Sequence, residues 1–126
     1  MYAGATYLVP SGPNNKMHLH VVLVDPDQFG SGIWVSVCSI EEGIYNDDSC
    51  EFLGGEHEFI DHPSFVAYSF LSHVHQRHVE RMLERKAYIQ KDDVTREVLT
   101  RILAGLGNTD EAPKGIRKEC LERAGV

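Results

Sequence analysis

The side chains with the most chemistry in this chain are its seven histidines and three cysteines. His18 and His20 alternate on a strand-like run, so both imidazoles leave it on one side. Near neutral pH an imidazole can take up or release a proton. The simpler reading is two half-exposed strand residues. Lys16 stands just before them and is the only lysine or arginine ahead of Arg77. A second set is Cys50, His57 and His62. Thiolate and imidazole suit tetrahedral Zn²⁺, with Glu56, Glu58 and Asp61 as further ligands or as carboxylates that orient the rings. The spacing matches no defined zinc motif, and a histidine-rich chain produces it by chance. The competing reading is that His57 and His62 shape their loop, His62 being held extended before Pro63. His73, His75 and His78 mark a polar strand-to-helix junction, with a His73–His75 chelate as the alternative.

The elements that must position these groups follow from periodicity. His18–Val24 and Ile33–Ile40 are β-branched runs separated by Gly30 and Gly32, which predicts an antiparallel pair. The first run is apolar at consecutive positions, so both of its faces are expected to be covered. Tyr7–Val9 is a strand stopped by Pro10, and Ser11–Asn15 is a loop longer than a tight hairpin, built from turn formers. Ser49–Leu53 is a further strand. Ser64–Leu71 is the last, with Val66, Tyr68 and Phe70 on one face and Phe65, Ala67, Ser69 and Leu71 on the other.

The period changes near His73. Val79, Met82 and Leu83 form a helical stripe. Tyr88-Ile89 interrupts it, and Asp92 or Asp93 is the expected cap of a second helix carrying Val94, Val98, Leu99, Ile102, Leu103 and Leu106. Pro113 opens a third short helix or a loose tail. Strands first and helices last predict an α+β fold, with the helices packed on one side of a small antiparallel barrel-like sheet. The expected organisation is one domain over 1–126: sheet 4–74, helical segment 75–107, and a C-terminal helix or tail 108–126.

Composition narrows the classes. At 126 residues the chain can bury a core without staples. No apolar run nears the ~20 residues of a membrane span, so no membrane partner is expected. The first residues lack the basic and apolar regions of a signal peptide, which predicts a cytoplasmic protein. An odd, widely spaced set of cysteines fits reduced thiols. Cys38 reads as a small buried hydrophobe, and Cys120, on a charged segment, as exposed. Trp34 reads as a core or dimer-interface residue, or as a platform for a nucleobase. The net charge of −7 is uneven, because Lys16 stands against ten carboxylates in residues 1–76. Such a surface repels phosphate backbones.

Gly4–Val9, His20–Val24, Val35–Ser39, Ser64–Tyr68 and the segment Val79–Leu106 together resemble the PemK/MazF toxin family over roughly residues 4–107. The resemblance implies an SH3-like barrel of about five strands, a homodimer, an antitoxin protein as partner, and metal-independent cleavage of single-stranded RNA without a cofactor. It makes Ser39 the counterpart of a catalytic Thr or Ser at the end of the third strand. The family's Arg-Pro is replaced here by Leu19-His20. His18 or His20 would then take the 2′-hydroxyl proton, and Lys16 or a protonated histidine would meet the developing phosphate charge. Lys16 and Trp34 would bind the RNA. Two rivals are a non-catalytic interaction module that has lost the arginine, and a zinc protein using Cys50, His57 and His62.

Overall fold

The β-branched runs pair as expected and form the centre of one antiparallel sheet. The computed structural model describes residues 1–126. Strands β1 (Thr6–Ser11), β2 (Lys16–Val24), β3 (Ser31–Ser39), β4 (Glu51–Phe52) and β5 (Ser64–His75) come first. Helix α1 (Gln76–Glu84), strand β6 (Ile89–Lys91), and helices α2 (Arg96–Asn108) and α3 (Lys114–Ala124) follow. The sheet has six strands in the order β4-β5-β3-β2-β1-β6. The fold is α+β, with its largest helices C-terminal. No helix is long and apolar enough to cross a membrane.

The sheet is open where a closed barrel of about five strands was expected. Its edges, β4 and β6, are two and three residues long and do not pair with each other. The sixth strand is the Ile89 interruption of the helical segment, which returns to pair Ile89 with Leu8. Side chains of the loop after β4 tie the edges instead. His57 Nδ1 accepts the Phe59 N–H at 3.1 Å, so its Nε2 carries the proton and donates to the Asp92 carbonyl at 2.5 Å. The Thr6 hydroxyl donates to the same carbonyl at 2.7 Å.

Local departures from expectation have physical reasons. β1 runs through Pro10 to Ser11, paired with Lys16, so Gly12–Asn15 is a short hairpin turn. Pro10 is tolerated because β6 pairs β1 only as far as Leu8, leaving this end an edge. Helix α2 is capped by Thr95, whose hydroxyl accepts the Val98 N–H at 3.2 Å. The Asp93 carboxylate is taken by the Tyr2 hydroxyl, and the Asp92 backbone by Thr6, His57 and Glu58.

Alternation along the strands builds two cores. Leu19, Val21, Leu23, Ile33, Val35, Val37, Val66 and Tyr68 face α2 and α3. Tyr7, Val9, Val22, Trp34 and Val74 face the other way, against Val79 and Leu83 of α1. The helices therefore lie on both faces, not one: α1 follows β5 directly and packs on the second face. Cys120, on the inner side of α3, is fully buried, not exposed, and burial pushes its thiol pKa up to about 11. Arg117 donates to the carbonyls of Leu106 and Gly107 at the end of α2, and Arg123 to those of Asp25 and Ser31. These contacts make the segment after 108 a docked helix.

The β3–β5 ladder slips in the middle. Between the pairs Trp34–Ser72 and Ser36–Ala67, β5 carries four residues where β3 carries one. Tyr68 turns into the first core, where its hydroxyl donates to the Ile102 carbonyl at 2.7 Å. Phe70 is thrown out to solvent and Leu71 is buried, which breaks the expected two-face alternation.

Gly105 lets α2 approach this point. A Cβ there would overlap the Tyr68 hydroxyl and stand 2.8 Å from the Ser49 carbonyl oxygen, whereas one at Gly107 meets nothing within 4 Å. Gly105→Ala should therefore destabilise by about 1–3 kcal/mol. Gly107→Ala should stabilise by up to about 1 kcal/mol. Urea unfolding of both variants checks this, and equal effects would refute the close packing of α2.

Candidate functional site

The end of β3 is laced to the segment before β5. Ser39 pairs with Ser64, and the Ile40 N–H donates to the Pro63 carbonyl at 3.1 Å. Pro63 holds His62 extended, and the imidazole comes to rest on Ser39. Ser39 Oγ lies 2.6 Å from His62 Nε2, and His62 Nδ1 lies 2.6 Å from Asp61 Oδ1. A carboxylate accepts only, so Nδ1 carries the proton in the neutral ring. Nε2 is then the basic nitrogen, and Ser39 donates to it. The hydrogen bond with His62 holds the Asp61 pKa below the usual carboxylate range. This is the order hydroxyl–base–carboxylate that activates a hydroxyl for attack. The Asp61–His62 pair is exposed, with side-chain exposures of 79% and 54%. It orients the ring without a large electrostatic gain.

Lys16 and His18 border the same place. Together with Ser39 they line both a cleft of about 90 Å³, which His62 also lines, and a groove of about 270 Å³. Alternation puts Met17 and Ser39 on the α2/α3 side and Lys16, His18 and Cys38 on the other. The site is therefore a notch at the strand ends, reached from both faces.

His18 also lines a larger cavity on the second face, about 440 Å³, with His20, Trp34, Ser36, Cys38 and Phe70 among its walls. Ser11 Oγ holds His18 Nδ1 at 2.7 Å. His20 is buried, its ring centroid 4.6 Å from that of Trp34 and its Nδ1 3.2 Å from the His18 carbonyl oxygen. Burial is the largest influence on His20 and lowers its pKa, so the ring is neutral and Nε2 is left as an acceptor. The Trp34 indole N–H donates to Ser72 Oγ at 3.2 Å. Burial pushes the Cys38 thiol pKa up, keeping it protonated.

The residues named from sequence thus separate. Lys16, His18 and Ser39 border one notch at the strand ends, Ser39 on the α2/α3 face of the sheet and Lys16 and His18 on the other. His20 lies in the cavity beside Trp34, away from Ser39. Cys50, His57 and His62 do not assemble: Cys50 is buried against Tyr68 and Gly105, His57 is bound to Asp92, and His62 to Ser39 and Asp61. No three His, Cys, Asp or Glu side chains stand together as a metal-holding group. Sequence reasoning placed Asp61 and His62 in the metal set and did not join them to Ser39. The available signal was the Asp-His-Pro run, which fixes an oriented imidazole but not what it faces.

Compared with known proteins, the chain matches no family model, no curated sequence and no solved structure. The site rests on its own geometry.

His20 has a consequence for stability. A base whose folded pKa is lowered binds fewer protons folded than unfolded. Stability is then lost as pH falls below the unfolded value of 6.5, by at most about 1.4 kcal/mol per pH unit. His20→Gln should flatten the pH dependence of urea unfolding below that point. Parallel curves for the variant and the parent would refute a neutral buried ring.

Proposed function

We propose that the protein is a cytoplasmic, metal-independent endoribonuclease acting on single-stranded RNA. The observation that carries this reading is the Ser39–His62–Asp61 hydrogen-bond chain, set in a notch that Lys16 and His18 also line. The resemblance to PemK/MazF toxins supports it at Ser39, and the side-chain ties between the sheet's edges suit a barrel-like curl. On the same reading the partners are RNA, a second copy of the chain and an antitoxin protein.

The chemistry runs through the chain's own side chains. His62 Nε2, held by Asp61, takes the proton of the RNA 2′-hydroxyl. That oxygen attacks phosphorus, and the bond to the 5′-oxygen breaks. His18 in its protonated form supplies the leaving oxygen with a proton. The products are a 2′,3′-cyclic phosphate and a 5′-hydroxyl. The Lys16 ammonium meets the charge that builds on the phosphoryl oxygens. Ser39 positions His62 and the phosphate. With carboxylates so numerous in residues 1–76, backbone affinity is modest and falls with added salt.

A labelled single-stranded RNA, its 2′-O-methyl analogue and the corresponding DNA, each with and without EDTA, test the proposal. Cleavage of the RNA alone, insensitive to EDTA, is expected. His62→Gln should lower the rate by about 10²–10⁴, with a smaller loss in Asp61→Asn. Cleavage of the methylated RNA or the DNA would show that the 2′-hydroxyl is not the nucleophile and would move that role to Ser39. No cleavage, together with a stable protein complex, would favour the interaction module.

A further inference from the structure

We propose that the 440 Å³ cavity on the second face of the sheet is a nucleobase pocket that receives one base of a single-stranded polynucleotide. This deepens the endoribonuclease reading and rests on it for the identity of the chain that carries the base. The cavity itself stands on separate observations.

Its size falls within the ~300–1,000 Å³ of small-molecule sites. Its walls combine flat apolar surface with unspent hydrogen-bonding groups. Trp34 is held rigid by its N–H bond to Ser72 and by the His20 ring against it. Phe70 stands at the rim, 63% exposed, where the slip of the β3–β5 ladder puts it. The Phe70 phenyl is the exposed stacking face that any base can use, and the Trp34 indole, itself only 8% exposed, forms part of the apolar wall behind it. Two residues along β3 from Trp34, the buried Ser36 hydroxyl has only the Cys38 thiol as a side-chain partner, at 3.8 Å. A hydroxyl so poorly satisfied is open to a better partner. His20 Nε2 offers an acceptor beside it. One wall is the His18 imidazole, which also borders the notch. A base in the cavity therefore lies next to a phosphate in the notch. The cavity lacks a lysine or arginine among its lining residues, which fits an uncharged planar ring and disfavours a phosphate.

Trp34 is the only tryptophan in the chain, so its fluorescence reports the pocket directly. The probes are a 2′-O-methyl oligoribonucleotide, the four nucleoside 5′-monophosphates, and ribose 5-phosphate. The first has no reactive 2′-hydroxyl, so binding is read whether or not cleavage occurs. Saturable quenching by the oligonucleotide is expected, competed by at least one monophosphate and not by ribose 5-phosphate. Phe70→Ala, at an exposed position, should keep the parent's melting midpoint and weaken binding about five-fold or more. Quenching without RNA cleavage supports the pocket and overturns only the nuclease reading. Cleavage without quenching does the reverse. Quenching by monophosphates but not by the oligonucleotide overturns the assignment to a polynucleotide. Unchanged affinity in Phe70→Ala overturns the stacking role.

Discussion

The slipped ladder between β3 and β5 is the constraint on which the rest of the molecule turns. Both strands sit inside the sheet, so every backbone group that leaves the ladder must be satisfied or solvated. Four residues of β5 against one of β3 cannot stay flat. The excess drives Tyr68 down to hydrogen-bond α2 and lifts Phe70 to the opposite surface. One irregularity thus anchors a helix on one face and raises the wall of a cavity on the other. A regular strand would bury Phe70 beside Tyr68, and the second face would be a plain sheet.

A second constraint acts at the end of the same strand pair. After Ser39 the ladder closes with Ser64, and the Ile40 N–H reaches the Pro63 carbonyl. That short lacing sets a loop imidazole on a strand hydroxyl 23 residues away in sequence. The loop is fixed at its far side by His57 on Asp92 and by the Arg101–Glu56 ion pair, in which Arg101 also lies over the Phe52 ring. The Asp61–His62 hydrogen bond needs this support, because so exposed a contact does not hold its own geometry. Histidines that look alike in the sequence therefore have different work. His57 is a neutral strut, His62 an oriented base, His75 the cap of α1, and His20 a buried neutral ring.

Much of the fold was legible because local rules and the tertiary outcome agree. The β-branched runs pair, the helices come after the first five strands, and Pro113 does start a helix. Where local rules competed, periodicity misled. Pro10 reads as a stop, yet it sits where the neighbouring strand has ended. Asp92 and Asp93 read as caps, yet other partners hold them. Cys120 lies among charges in sequence but on the buried side of its helix in space. Half of the candidate site was visible: His18 stands on a strand that periodicity reveals, with Lys16 just before it, and the family resemblance singles out Ser39, but the loop that delivers His62 carries no period.

What the sequence determines by itself is the first five strands, the helical segments that come after them, and the two faces of each regular strand. These depend on side-chain alternation and backbone preference over a few residues. The tertiary structure alone decided that the sheet stays open, that helices cover both of its faces, that Ser39 meets His62 rather than His20, and that Cys50, His57 and His62 point to three separate neighbours. Each of those outcomes depends on the register between distant strands. A slip of three residues in register leaves composition and local propensity unchanged while moving side chains to the other side of the molecule.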